Sequence, residues 1–165
     1  PGNAITDKTP ELIEACKVSL LDRGFGQKSG ANGSGWGKAN KVNLWARAKD
    51  GNRAYSMLRE LINKNIAPNL WDFHPPYQMD GNCGYTSGVC EMLCYSSDEI
   101  IELLPALPEE WKNGSVKGLC ARGGYSLDFT WENGEIKSLS VYSSCGKKTA
   151  RIKTGDEIKT VKTVG

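Results

Sequence analysis

The sequence predicts an α+β chain, with helices first and a small antiparallel β-sandwich or sheet last. Three observations carry that reading. Apolar residues recur at helical spacing up to about Ser96, and from Asp98 onward they alternate with polar ones. Between two of the alternating runs stands Asn133-Gly134, a two-residue hairpin signal. The break predicts two units, residues 1–97 and 98–165.

A chain of 165 residues, 39% hydrophobic and 24% charged, can bury a core and is not globally disordered. Its formal charge of +2 excludes a generic nucleic-acid binder acting through bulk charge, so no nucleic-acid partner is expected. No apolar run is long enough to cross a bilayer, and no charged-then-apolar leader is present, so neither a membrane partner nor a signal peptide is expected. The chain begins Pro1-Gly2-Asn3 without Met, and a helical pattern follows almost at once. That start predicts a piece of a longer protein.

Thr9-Pro10 is an N-cap and first-turn signal, and Leu12, Ile13, Cys16 and Leu20 continue the first helix until Gly24. The Gly-rich stretch Gly24 to Gly35 reads as a flexible loop. It lacks the Lys-Ser/Thr ending of a phosphate loop and a preceding strand, so no nucleotide cofactor is expected.

The second helix, about Gly35 to Lys49, places Trp36, Asn40, Asn43 and Arg47 in one narrow arc. The rest of it is largely apolar, interrupted by Lys38 and Lys41, which predicts a buried helix. Its polar stripe then faces either a cavity or the backbone of neighbouring loops, which Asn43 and Arg47 would tie down. After the turn Asp50-Gly51-Asn52, the residues Tyr55, Leu58, Leu61 and Ile62 mark a third helix, antiparallel to the second.

Asn63 to Gly84 has no clear period. Such long loops are often functional, and this one holds the only histidine, His74, the carboxylates Asp72 and Asp80, and the stiffening pair Pro75-Pro76. A fourth helix is predicted over Tyr85 to Tyr95. The positive end of its dipole favours an ionised Asp80 nearby, as a general base requires; the alternative is an Asp that makes a turn with Gly81.

In the second half Tyr125, Leu127, Phe129 and Trp131 alternate with polar residues, and Ile136 to Tyr142 returns after the hairpin turn. Further strands are predicted at Ser115 to Arg122, Lys148 to Lys153 and Glu157 to Val164. The basic excess of the last twenty residues reads as a solvated face. Of the six cysteines no two form a Cys-x-x-Cys pair, and one histidine leaves little for a metal site, so no metal is expected. Most of the thiols read as small buried hydrophobes.

Several motifs together resemble a known family. They are Gly35-Trp36-Gly37-Lys38, Lys41-Val42-Asn43-Leu44-Trp45-Ala46-Arg47, Asp50-Gly51, Ala54-Tyr55 and Pro68-Asn69-Leu70. They continue at His74-Pro75-Pro76-Tyr77-Gln78-Met79-Asp80-Gly81-Asn82, Leu103-Leu104-Pro105-Ala106-Leu107-Pro108, Trp111, Gly114-Ser115-Val116-Lys117-Gly118-Leu119 and Ala121-Arg122-Gly123-Gly124. In order and spacing, over roughly residues 5 to 135, they resemble glycoside hydrolase family 95, the 1,2-α-L-fucosidases and relatives acting on α-L-galactosides.

The resemblance implies the last helices of an (α/α) toroid followed by the C-terminal β domain, with the rest of the parent chain upstream. It implies an inverting hydrolase in which a carboxylic acid aids the leaving group and a base activates water. By motif position Asp80 matches the base, and His74 matches a sugar-contacting histidine. The acid and the two asparagines that help activate the water would lie upstream of Pro1. Trp36, Asn43 and Arg47 would belong to the pocket wall or its support. Tyr77, Met79 and Cys83 depart mildly from the family's usual Phe, Ile and Phe. Gly37 and Asn40 replace a usual Ser and a large aromatic, and they bear on sugar preference. The implied partners are a fucosylated or α-L-galactosyl glycan and the upstream part of the parent, with self-association through the exposed toroid edge. The resemblance also points to a bacterial secreted or periplasmic parent. The alternatives are a non-catalytic sugar-binding module using Trp36, Trp71 and His74 as a stacking platform, or a scaffold piece.

Overall fold

A computed structural model describes residues 5–24, 33–73 and 77–164 of the chain. Most of the Gly-rich stretch, and His74 with Pro75 and Pro76, lie outside the described residues. Four helices come first: α1 (Pro10–Arg23), α2 (Gly35–Arg47), α3 (Gly51–Asn65) and α4 (Met79–Leu93).

The helix starts follow local chemistry. Pro10 opens α1 after Thr9, whose side chain exchanges hydrogen bonds with Thr6. Ser34 caps α2 by accepting from the Gly37 N–H at 3.3 Å, and Asp50 caps α3 by accepting from the Arg53 N–H at 3.0 Å. Between α2 and α3 the chain reverses at Lys49, which takes a left-handed φ of 58°. The result is the expected antiparallel hairpin: Lys38, near the start of α2, reaches Glu60 and Asn65 near the end of α3.

The two lysines that interrupt the apolar surface of α2 are both buried. Lys38 donates to Asn65 Oδ1 at 2.7 Å. Lys41 donates to the Gly24 and Arg23 carbonyls at 2.8 and 3.3 Å, and so satisfies the C-terminal end of α1. Burial lowers the pKa of both ammonium groups, and for Lys38 the Glu60 carboxylate opposes that shift.

The fourth helix starts at Met79, six residues before the predicted Tyr85, so Asp80 lies inside its first turn rather than in a loop before it. Gly81 reads as a turn residue in the sequence, and Gly84 ends a stretch without a clear period. In the fold the glycines let α4 approach its neighbours closely. A side chain at Gly84 would meet Ala39 at 2.9 Å, and one at Gly88 would meet Val42 at 2.5 Å. Ala39 opposite Gly84, Val42 opposite Gly88 and Arg47 beside Glu91 show that α2 and α4 run parallel.

The second half contains β1 (Cys94–Ser96), β2 (Ile101–Leu103), β3 (Gly114–Ala121), β4 (Tyr125–Glu132), β5 (Glu135–Ser143), β6 (Thr149–Thr154) and β7 (Glu157–Lys162). They form a three-stranded sheet, β3-β4-β5, and a four-stranded sheet, β1-β2-β6-β7. Asn133 and Gly134, with φ of 51° and 78°, make the expected tight turn between β4 and β5. Leu127, Phe129 and Trp131 point inward, and pack with Ile101, Leu103, Val141 and Ile152 from both sheets. All strand pairs are antiparallel except β2 with β6, which is parallel. A parallel pair requires a long crossover, supplied here by the whole β3-β4-β5 sheet.

Val89 of α4 and Trp111 touch both the helical core and the β core. A charged cluster also closes the seam: Lys49 bonds Asp7 at 2.7 Å and Glu102 at 2.9 Å, and Lys153 bonds the same two carboxylates at 3.1 and 3.2 Å. All six cysteines are free thiols, and none is fully buried. Cys83, Cys120 and Cys145 are exposed, because they fall on the outer face of α4, the open face of β3 and a surface turn. This corrects the expectation that most would be buried.

Candidate functional site

The site is built on the parallel pair α2 and α4. Trp36 stands in the first turn of α2, and its backbone N–H approaches the Gln78 side chain, just before α4, at 3.5 Å. The first turns of the two helices are therefore neighbours, and they bring Trp36 and Asp80 to the same end. Trp36 is 45% exposed and Asp80 is exposed. Among the described residues no hydrogen bond or ion pair engages the Asp80 carboxylate.

Behind that end lies Asp72, fully buried, with its carboxylate against the Cα atoms of Gly35 and Gly81. A buried carboxyl group is thus set between the first turns of two helices, whose dipoles favour negative charge there. Asn82 holds the segment in place. It accepts from the Asp72 N–H at 2.8 Å and donates to the Leu70 carbonyl at 2.7 Å. Leu70 itself is held at a positive φ of 69°. At 100° per residue, Asn82 lies about 200° around α4 from Asp80. The segment that carries Trp71 is therefore clamped to the face of α4 away from Asp80. Trp71 is exposed and stacks at a tilt against Tyr77, with ring centroids 4.7 Å apart.

The same geometry aligns Asp80, Ser87 and Glu91 along one face of α4, and Trp36, Asn40, Asn43 and Arg47 along one face of α2. Both stripes border a groove of about 640 Å³, lined by Asn40, Asn43, Arg47, Ser87, Glu91, Arg122 and residues of α1. Asp80 stands two turns nearer the helix start than Ser87, beyond that lining. Asn43 spends its side chain between the helices: Nδ2 donates to the Ala39 carbonyl at 2.9 Å and the Gly84 carbonyl at 2.7 Å. Its Oδ1 accepts from Ser87 Oγ at 3.0 Å. Arg47 lies 3.6 Å from Glu91 and stacks over the Tyr95 ring at 4.4 Å.

Of the five predicted site residues, the structure places Asp80 and Trp36 at the same end of the α2–α4 pair. It places Asn43 and Arg47 farther along the groove, and His74 lies outside the described residues. Sequence reasoning missed the roles of Asp72, Asn82 and Ser87. One signal for this packing was present, the recurrence of Gly81, Gly84 and Gly88 at i, i+3 and i+7. No group of three or more His, Cys, Asp or Glu among the described residues is placed to hold a metal.

Comparison with known proteins gives a consistent picture. Residues 1–93 match the glycosyl hydrolase family 95 catalytic domain, and residues 95–164 match the family 95 C-terminal domain. Alpha-L-fucosidase 2 of Arabidopsis thaliana is 35% identical over 156 residues, covering 87% of this chain and 18% of its own length. Probable alpha-fucosidase A of Aspergillus oryzae is 35% identical over 139 residues, covering 74% of this chain and 19% of its own. The Aspergillus niger protein of the same name is 31% identical over 158 residues, covering 86% and 20%. The chain thus spans about a fifth of the length of these relatives.

Proposed function

The chain belongs to glycoside hydrolase family 95, and from that premise we propose that it supplies the general base, Asp80, and part of the sugar pocket of an inverting α-L-fucosidase. The observation that carries the reading is the placement of Asp80. Its carboxylate is exposed, and among the described residues unengaged, in the first turn of α4, beside the first turn of α2 with Trp36.

In this reading α2 and α4 are adjacent inner helices of a toroid, with α1 and α3 outside them. Their parallel course and the antiparallel α2–α3 hairpin support that arrangement. The helical unit runs through α4 to Leu93, and the β unit, which starts with β1 at Cys94, buttresses it through Val89, Trp111 and the charged cluster around Glu102.

Asp80 removes a proton from a water molecule as the water oxygen attacks the anomeric carbon. The glycosidic C–O bond breaks, and the leaving oxygen takes its proton from an acid on the opposite side. In inverting enzymes the two carboxyl groups stand roughly 6.5–9.5 Å apart, which leaves room for the water. The chain covers only 18–20% of its relatives' length, and this reading places the acid upstream in a longer parent chain, so that the 165 residues alone are inactive. Trp36 and His74 contact the sugar, and Asn43 and Arg47 belong to the wall that carries them. The substrate is a fucosylated or α-L-galactosyl glycan.

The test is release of fucose from 2′-fucosyllactose by this chain and by its full-length parent. Activity in the parent alone is expected. Activity in the short chain would place the acid among the residues described here and overturn the assignment.

A further inference from the structure

We propose that Asn43 is a positioning residue for Asp80: it fixes the height of α4 against α2, and through it the place of the carboxylate at the mouth. The inference rests on the reading of Asp80 as general base.

The need for such a residue follows from the contact surface. Where α2 and α4 touch, α4 presents glycine: Gly84 against Ala39, and Gly88 against the Val42 side chain. Helices usually lock their register by setting ridges of side chains into grooves. At Gly84 the fourth helix has no side chain to seat against Ala39, so that contact by itself resists separation better than axial sliding. A directional polar tie is what fixes the slide.

Asn43 is that tie. Its amide bridges the Ala39 carbonyl of its own helix and the Gly84 carbonyl of α4, at 2.9 and 2.7 Å. Gly84 lies four residues after Asp80, one turn or about 6 Å along the axis. Ser87 Oγ, donating to Asn43 Oδ1 at 3.0 Å, orients the amide so that its nitrogen faces the carbonyls. Two further links between these helices among the described residues are longer: 3.6 Å from Arg47 to Glu91 and 3.5 Å from the Trp36 N–H to Gln78. With both amide hydrogens committed to backbone, Asn43 has no donor left for a sugar hydroxyl. Its effect on the reaction therefore runs through α4. A base displaced by about 1 Å can lose a hundredfold in rate, so a helix slide of that size is enough to matter.

The test uses the full-length parent, comparing wild type, Asp80→Asn, Asn43→Ala, Asn43→Asp and Ser87→Ala, each assayed well below its own melting temperature. Asn43→Ala is expected to lower kcat about 10–100-fold with KM within about threefold. Asn43→Asp keeps the acceptor for Ser87 but loses the donor to Gly84, and should share the loss. Ser87→Ala removes only the orienting bond, and should lower kcat about three- to tenfold with KM unchanged; it tests the proposal even where an Asn43 variant fails to fold. A raised KM with unchanged kcat would make Asn43 a direct sugar contact and overturn the proposal. An unchanged kcat with a lowered melting temperature would overturn it as well. Full activity in Asp80→Asn, by contrast, would overturn the reading of Asp80 itself.

Discussion

The carboxylate of Asp72 occupies the space that a side chain at Gly81 would need. Gly81 follows Asp80 directly, so the backbone next to the proposed base rests against a fully buried carboxyl group. Replacing a helical glycine by alanine ordinarily stabilises a helix by about 1 kcal/mol. Here the added methyl would overlap Asp72, and overpacking costs about 1–3 kcal/mol or more. Gly81→Ala is therefore expected to lower stability in urea denaturation. Gly88→Ala, against Val42 at 2.5 Å, should cost less, and Gly84→Ala, against Ala39 at 2.9 Å, least. A stabilised Gly81→Ala would contradict this packing.

The thiols should divide by burial. Burial, aided by the nearby Glu91 and Cys90, pushes the Cys94 thiol up to about 12, and burial with Glu91 also raises Cys90. The reactive species is the thiolate, so both should resist alkylation in the folded protein at pH 8. Exposed Cys83, Cys120 and Cys145 should react first under iodoacetamide, as read by mass spectrometry of digested protein. Early labelling of Cys94 would mean that α4 and β1 part readily.

Acid should loosen the seam between the helices and the sheets. The Lys49 ammonium, donating to Asp7, holds that carboxyl below the usual range against partial burial, with Lys153 assisting. A carboxyl with a depressed folded pKa contributes stability above its unfolded value of about 3.9, and that contribution is lost as pH falls through the folded value. Asp7 is 54% exposed, so solvent screening limits the contribution to about 1 kcal/mol or less. Asp7→Asn should thus be less stable than wild type at pH 7, with the difference vanishing toward pH 2. A difference that persists at pH 2 would contradict this.

The isolated chain should self-associate. Leu70, Trp71, Phe73 and Met79 are each more than half exposed around the start of α4, and Val18 and Leu21 are likewise exposed on α1. Contiguous apolar surface of this kind marks a covered face in a larger assembly. Sedimentation velocity across a tenfold concentration range should show a rising mean mass, and a strictly monomeric species would count against the open-edge reading.

The legible parts of this fold were those whose signals are local. Thr9-Pro10 starts α1, Asn133-Gly134 turns the hairpin, and Leu127, Phe129 and Trp131 alternate into the core. The start of α4 was not legible, because its glycines look like turn residues until Asp72, Ala39 and Val42 are seen filling the space beside them. Three-residue β1 and β2 are too short to show a period, and the parallel pairing of β2 with β6 depends on partners 51 residues apart, Ile101 and Ile152. Lys38 and Lys41 read as breaks in an apolar helix, although their burial is balanced by polar partners distant in sequence. Within the site, Asp80 and Trp36 were visible as motif residues, while the tie made by Asn43 needed the geometry of two helices at once.

The role of Asp80 as the base is tested by turnover of 2′-fucosyllactose by the full-length parent carrying Asp80→Asn. Loss of a general base typically costs about 10²–10⁴-fold in rate. A kcat reduced by that order is expected, with substrate binding largely retained by calorimetry. Near-normal turnover in the variant would contradict it.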